Sequence, residues 1–420
     1  MPVLSSLRSR FVLVTATLAL TFGGLALAKK APLPAPVAAP AAVAPVLPGF
    51  PVPPDVAARA YLLLDVSAGN QVLAAKDMDT PMEPASLTKL MTAYVVFDAL
   101  KQHRITLDQT FGVSEKAWKM PGSRMFITPK MQVRVEDLIR GMIVQSGNDA
   151  TMALAEGLAG SEQGFVQKMN DTARTLGMTH TGYRNPEGLT EPGHITTARD
   201  MALLATRLMA DFPEYIKYYA IKQWHYPGTP ESNQNNRNLL LFRDPTVDGL
   251  KTGHTDAAGY NLVATARRAF PNLPQGRRLL AVVFGTASEN ARANETQKLL
   301  NWGYTAYDGV QLFGADQPVA QARVWKGAHS EVGLGRHQPI TVAVPAGKAR
   351  ELTTQVERTD PLIAPIVRDQ QVGTLRVQLG GQTLSTLPLQ ALQDDPQAGF
   401  FRRLWDSLLL LFHGSGKKST

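Results

Sequence analysis

The stretch Pro84-Ala85-Ser86-Leu87-Thr88-Lys89-Leu90-Met91-Thr92-Ala93-Tyr94-Val95-Val96-Phe97-Asp98-Ala99-Leu100 decides the fold. Pro84 and Ala85 stop the chain before Ser86, and the pattern predicts a helix over residues 87–100. That helix is apolar nearly all round, so it belongs inside a domain rather than on its surface. Lys89 stands within it, three residues after a serine, and three residues along a helix share a face.

Outward from this helix, the chain divides into strands, helices and strands again. Residues 59–66 form an apolar strand-like run, 67–70 a turn and 71–75 a returning strand. Helices are expected at 135–145, 149–158, 163–176 and 197–209. Three strand runs follow at 247–252, 260–268 and 277–286, with turns at 253–259 and 271–276, and a helix at 289–304 closes the region. Short links between successive strands imply antiparallel neighbours. Strands at both ends with helices between them give an α+β domain, an antiparallel sheet covered by helices. From 314 to 392 the pattern is alternating apolar and polar runs separated by turns, which predicts a small all-β domain. It holds no constellation of titratable residues, and the expectation for it is a spacer or stalk.

The 420 residues carry 43 Lys and Arg against 35 Asp and Glu, a net charge of +8, and 44% hydrophobic residues. The basic residues are scattered rather than gathered into a stripe, which argues against nucleic-acid binding and fits an anionic substrate or membrane face. Cysteine is absent, which excludes disulfides and thiolate metal sites. Arg8 and Arg10 precede an apolar run ending in Ala26-Leu27-Ala28, the pattern of a secretory signal peptide over 1–28. A Pro/Ala-rich linker over 29–54 follows. The sequence then divides into a catalytic domain at 55–311, an all-β domain at 312–392 and a tail at 393–420. In that tail Phe400, Phe401, Leu404, Trp405, Leu408, Leu411 and Phe412 recur at helical spacing among Arg402, Arg403 and Asp406. The run is too short to cross a bilayer, so the expectation is an amphipathic helix lying in the membrane interface, with a terminal helix packed on the β domain as the alternative.

Three short strings carry the chemistry: Ser86-Leu87-Thr88-Lys89, Ser146-Gly147-Asn148 and Lys251-Thr252-Gly253. Serine is a weak nucleophile until a base takes its proton. Lysine serves as that base only when neutral, and burial beside a second cation such as Lys251 lowers its pKa. Lys89 is therefore the candidate base and Ser86 the candidate nucleophile, on a turn whose free N–H groups suit an oxyanion. Ser146 can relay a proton to a leaving amine, and the Asn148 amide can hold a substrate carbonyl. Lys251 and Thr252 offer a charge and a hydroxyl to a carboxylate. Gly253 allows a backbone to approach closely, as an extended peptide pairing with the strand edge would require, and the His254 N–H can pair with that of Ser86 as an oxyanion hole. Each string alone is common, and Ser-x-x-Lys is expected by chance roughly once or twice in such a chain. Ser415-Gly416-Lys417-Lys418 and Ser288-Glu289-Asn290 are decoys, one in a polar tail and one out of order.

In these strings and their flanks, Pro84–Lys89, Gln145–Ala150, Asp248–Thr255 and Gly259–Ala264, the chain resembles the low-molecular-mass penicillin-binding D-alanyl-D-alanine carboxypeptidases. The resemblance covers nearly everything after residue 55 and includes the β-rich domain and amphipathic tail. It implies the serine β-lactamase and transpeptidase fold, with no cofactor and no metal. It also implies that Ser86 is acylated by the penultimate D-Ala of a peptidoglycan stem pentapeptide, that water hydrolyses the ester, and that β-lactams acylate the same serine. Arg237, in Asn236-Arg237-Asn238, resembles the family's second carboxylate cation. The same resemblance implies a place on the periplasmic face of the inner membrane. A D,D-endopeptidase and a non-catalytic β-lactam sensor share these motifs. A class A β-lactamase does not fit, because no Glu-x-x-Leu-Asn string is present.

Overall fold

The structure is a computed structural model that describes residues 50–412 apart from 272. The signal-peptide region, the linker up to residue 49 and the decoy at 415–418 lie outside the described residues.

The first domain is built on a five-stranded antiparallel sheet, ordered β2-β1-β7-β6-β5. Its strands are β1 (Ala60–Asp65), β2 (Gln71–Lys76), β5 (Val247–Thr255), β6 (Gly259–Phe270) and β7 (Leu273–Thr286). Between β2 and β5 run α1 (Lys89–Lys101), the short pair β3 (Thr110–Gly112) and β4 (Gln132–Arg134), α2 (Glu115–Trp118), α3 (Val135–Val144), α4 (Asn148–Ala159), α5 (Glu162–Leu176), α6 (Ala198–Asp211) and α7 (Leu240–Arg243). The long helix α8 (Glu289–Ala306) follows β7.

Side chains alternate across a strand, and here both faces are buried. Leu62, Leu64, Val263, Leu280, Val282 and Phe284 join one core with α1, α3, α4, α5 and α6. Their neighbours Tyr61, Leu63, Leu262, Ala264, Leu279, Ala281 and Val283 join a second core with α8. This two-sided burial makes every residue of β1 apolar except the last, Asp65, which is fully buried against Arg277. Helix α1 is buried along almost its whole length, as its composition requires.

The second domain comprises β8 (Tyr307–Phe313), β9 (Ala320–Trp325), β10 (Glu331–Gly335), β11 (Ile340–Pro345), β12 (Leu352–Glu357), β13 (Leu362–Ile363), β14 (Gln371–Leu379) and β15 (Gln382–Ala391). Six strands form one sheet, ordered β12-β14-β15-β10-β9-β13, and β8 pairs with β11 as a separate ribbon. Their inward residues make a third core. The boundary expected at 311/312 falls inside β8, because β8 pairs with β11 along its length. Sequence patterning missed β8 and β10, each interrupted by glycine, and the two-residue β13. Arg277 ties the domains together, with Nε on Asp65 at 2.6 Å and Nη1 on the Tyr307 carbonyl at 2.5 Å.

The last described element, α9 (Phe400–Phe412), is amphipathic in an inverted sense. Asp406 accepts from the Lys326 N–H at 2.5 Å and Arg402 donates to the Ala328 carbonyl at 2.9 Å, so polar groups face the β-domain. Phe400, Phe401, Leu404, Trp405, Leu408 and Leu411 are exposed. Among the described residues no helix is long and apolar enough to cross a membrane.

Candidate active site

The predicted helix over 87–100 begins differently from the expectation. Residues Ala85–Thr88 form a 3₁₀ turn, and α1 starts at Lys89. In a 3₁₀ turn, residues three apart eclipse one another. Accordingly Lys89 Nζ lies 3.0 Å from Ser86 Oγ. Ala85 holds a left-handed φ of 49°, a cost for a residue with a Cβ that persists only where surroundings impose it. Those surroundings are visible. Thr88 Oγ1 donates to the Ala85 carbonyl at 2.8 Å, and Gly188 packs so tightly on that carbonyl that a Cβ there would lie 1.8 Å from it.

Lys89 is 1% exposed, and its Nζ also donates to Asn148 Oδ1 at 2.7 Å and the Glu187 carbonyl at 2.8 Å. Burial lowers its pKa from the usual lysine value to about 7, with Arg237 acting in the same sense against the opposing charges of Glu187 and Asp149. The amine is thus poised near neutrality, as a general base requires.

The second string bridges α3 and α4. Its left-handed residue is Ser146, at φ 59°, while Gly147 has an ordinary backbone and is small because Met125 crowds it. Ser146 Oγ accepts from Lys251 Nζ at 2.9 Å. Asn148, expected to offer an amide to substrate, spends both ends on the protein: Oδ1 holds Lys89 and Nδ2 donates to the Pro121 carbonyl at 2.6 Å. Asp149, which the motif carries, is fully buried and accepts from the Met125, Phe126, Ile127 and Ala150 N–H groups, pinning the 125–127 loop beside the site.

The third string lies on β5, an edge strand of the sheet. Lys251 is buried, and its pKa falls well below the ordinary value through burial, then through Lys89, Arg237 and Arg292. Its Nζ donates to Ser146 Oγ at 2.9 Å and to the Thr252 carbonyl at 2.9 Å. Gly253 packs against the serine turn. A Cβ there would lie 2.9 Å from the Pro84 carbonyl and 3.1 Å from the Ser86 and Leu87 nitrogens. The backbone that Gly253 admits is therefore the chain's own serine turn.

These elements enclose a cleft of about 210 Å³ lined by Ser86, Ser123, Ser146, Arg237, Thr252, Gly253, His254, Tyr260, Glu289 and Arg292. Arg237 is in this lining, as are Thr252 and the exposed His254, whose ring stacks on Tyr260 at 3.9 Å between centroids. Sequence reading missed Arg292, which is 3% exposed and reaches Glu289 Oε1 at 2.9 Å and the Arg237 carbonyl at 3.3 Å. It lies on the helix that follows the decoy Ser288, which proves to be the α8 N-cap, accepting from the Ala291 N–H. His194 was missed too. It is buried beneath the nucleophile turn, next to Thr88 Oγ1 at 2.8 Å, and its Nδ1 accepts from the Arg184 N–H at 3.1 Å. Burial lowers its pKa to about 4, so it is a neutral strut whose Nε2–H donates to Thr88. Among the described residues no group of three or more His, Cys, Asp or Glu side chains could hold a metal ion.

Known proteins share this arrangement of domains. The family described as D-alanyl-D-alanine carboxypeptidase matches residues 49–288, and the family described as penicillin-binding protein 5, C-terminal domain, matches 307–397. The D-alanyl-D-alanine carboxypeptidase DacC of Escherichia coli K12 is 41% identical over 367 residues, 86% of this chain and 90% of the relative. The DacA enzyme of Haemophilus influenzae is 38% identical over 86% of this chain and 91% of its own length. The crystal structure of penicillin binding protein 5 from Haemophilus influenzae superposes with a TM-score of 0.76 at 37% identity, covering 82% of this chain and 99% of that one. With a serine–lysine pair, a second serine–lysine pair and a cationic cleft on a fold shared at this level, the chain belongs to the D-alanyl-D-alanine carboxypeptidase family of penicillin-binding proteins.

Proposed function

We propose that this protein is a serine-type D-alanyl-D-alanine carboxypeptidase that trims the terminal D-Ala from peptidoglycan stem pentapeptides. The observation that carries the reading is the 3.0 Å contact between Lys89 Nζ and Ser86 Oγ, made by an amine whose burial brings it near neutrality. Ser86 Oγ attacks the penultimate D-Ala carbonyl while Lys89 takes its proton, so an O–C bond forms as the O–H bond breaks. Ser146, held by Lys251, gives its proton to the departing amine and is reprotonated by the Lys89 ammonium, and the C–N bond breaks to release D-Ala. Water then attacks the ester, with a proton passing back to Ser86 Oγ. Thr252 and Arg237 receive the terminal carboxylate, with Arg292 beside them; Lys251 lends its charge from behind Ser146. Asn148 holds the base in place. The N–H groups of Ser86 and His254 form the oxyanion hole, supported by the close approach of Gly253 to the serine turn.

A β-lactam presents a carboxylate next to a reactive amide carbonyl, so it enters the same cleft and leaves a long-lived ester on Ser86. Incubation with benzylpenicillin followed by mass spectrometry should add one penicillin mass to the wild type and none to Ser86→Ala. A parallel assay should release free D-Ala from a pentapeptide. Release from cross-linked dimers alone would instead mark an endopeptidase, and ester without sustained release a sensor.

The catalytic region from 55 to the end of α8, the β-domain from β8 onward and the tail from 393 then act as reaction unit, stalk and anchor. The apolar outer surface of α9, flanked by Arg402 and Arg403, supports a helix lying in an anionic membrane interface. Together with the signal-peptide pattern, it supports a place on the periplasmic face of the inner membrane.

A further inference from the structure

When Lys89 accepts the proton of Ser86, a positive charge forms at a buried atom already surrounded by cations. Arg237 acts on Lys89 directly, and Lys251, itself near Arg292, lies within electrostatic reach of it. An ammonium in such a place needs a counter-charge. Two acids act on it, Asp149 and Glu187. Asp149 is already spent on four backbone N–H groups, whereas no other residue hydrogen-bonds either carboxylate oxygen of Glu187, although the residue is 1% exposed.

Glu187 is held firmly where it can act. Its own carbonyl accepts from Lys89 Nζ at 2.8 Å, and the preceding Pro186 carbonyl accepts from Thr92 Oγ1 at 2.7 Å. Asn185 Oδ1 receives the N–H groups of Gly188 and Leu189, and Gly188, at φ 91°, is pressed against the Ala85 carbonyl. The 185–189 loop is thus fastened both to α1 and to the nucleophile turn. A carboxyl with no partner would be a poor choice of filler at such a position.

We propose that Glu187 is a positioning residue for the reaction, its buried carboxylate serving as the counter-charge that stabilises the ammonium of Lys89 once the Ser86 proton has moved there. This rests on the reading of Lys89 as the base. The groups that face Glu187 come from three helices: Lys89 on α1, Lys116 on α2 and Glu162 on α5, the last two paired at the surface. Burial raises the Glu187 pKa to about 7 against the opposing pull of Lys89, its own backbone N–H and Lys116, with Glu162 adding to the rise. His194 and Arg237 are the further charged or titratable neighbours of Lys89.

The signs give a test. Removing the Glu187 charge makes Lys89 easier to deprotonate, so its pKa falls, yet it deprives the forming ammonium of stabilisation. For Glu187→Gln, acylation by a fluorescent penicillin, followed from pH 5 to 9, should therefore show an acid limb displaced downward by about one pH unit and a lower plateau. Glu162→Gln, at the surface, favours ionised Glu187 and should move the limb upward by a smaller amount. Opposite displacements support the proposal. Acid limbs that stay in place in both variants overturn it, as would a downward displacement in Glu162→Gln. Should Glu187→Gln fail to fold, Glu162→Gln decides by its own direction. Lys89→Arg, run alongside, separates the two levels: normal acylation in that variant defeats the reading of Lys89, whereas an inactive Lys89→Arg with unmoved limbs elsewhere defeats only the role of Glu187.

Discussion

Two helices of 13 residues, α1 and α9, use apolar side chains in opposite ways. Helix α1 buries its apolar surface on every side and takes an amine, Lys89, into the interior with it. Helix α9 turns its polar side to the protein and its aromatic and leucine side outward, with Phe401 at 84% exposure. Composition alone does not distinguish them. The position of the charges does: in α1 a cation inside the core is tuned toward neutrality, and in α9 Asp406 and Arg402 fasten the helix so that its oily face stays free. A buried charge here marks chemistry, and an exposed apolar face marks a surface to be covered.

The sharpest way to break the first half of this contrast is Lys89→Arg. A guanidinium keeps its proton at any working pH, so it fits the cavity's charge but cannot act as a base. Loss of acylation by a factor of about 10³ or more is expected, measured as the second-order rate constant with a chromogenic penicillin. For the wild type, the same rate should fall as pH drops through about 7, because protonation removes the free amine. Rates independent of pH between 5 and 8 would contradict the tuned-lysine argument.

Next in size is the other interior charge pair. Asp65 and Arg277 are both fully buried, 2.6 Å apart, where β7 meets the start of the β-domain. Asp65→Asn leaves the guanidinium buried without its counter-charge, a change that costs about 3–5 kcal/mol in comparable sites. A urea-unfolding midpoint should fall accordingly. If stability is unchanged, the charges of this interior tolerate loss of a partner, and the case for a finely balanced Lys89 environment weakens with it.

The contrast also explains what could be read from the chain. Ser86 and Lys89 were legible because three residues along a turn place them together whatever the rest of the fold does. The burial of α1 was legible because no polar stripe interrupts it. Glu187 was not, since its carbonyl reaches Lys89 from 98 residues away and only packing brings the loop there. Arg292 was hidden for the same reason, on a helix whose first residues looked like a misplaced motif. Gly253 was read correctly as a point of close approach, but the pattern could not say whose backbone approached. In α9 the seven-residue apolar set was plain, and the direction that Phe400 to Leu411 face depended on where Asp406 and Arg402 found partners in the β-domain.

The smallest expected effect tests that direction. Trp405 is 63% exposed and touches no core, so Trp405→Ser should leave the unfolding midpoint and the acylation rate unchanged. Its transfer into a membrane interface removes apolar area from water, worth about 2 kcal/mol for a side chain of this size. Binding of the full-length protein to vesicles containing anionic lipid, measured by sedimentation, should therefore weaken about tenfold or more, and removal of residues 397–420 should abolish it. Salt should weaken the wild type as well, through Arg402 and Arg403. If Trp405→Ser instead destabilises the fold and leaves vesicle binding intact, the exposed face of α9 is a packing surface for protein, and its likeness to α1 is closer than their opposite orientations imply.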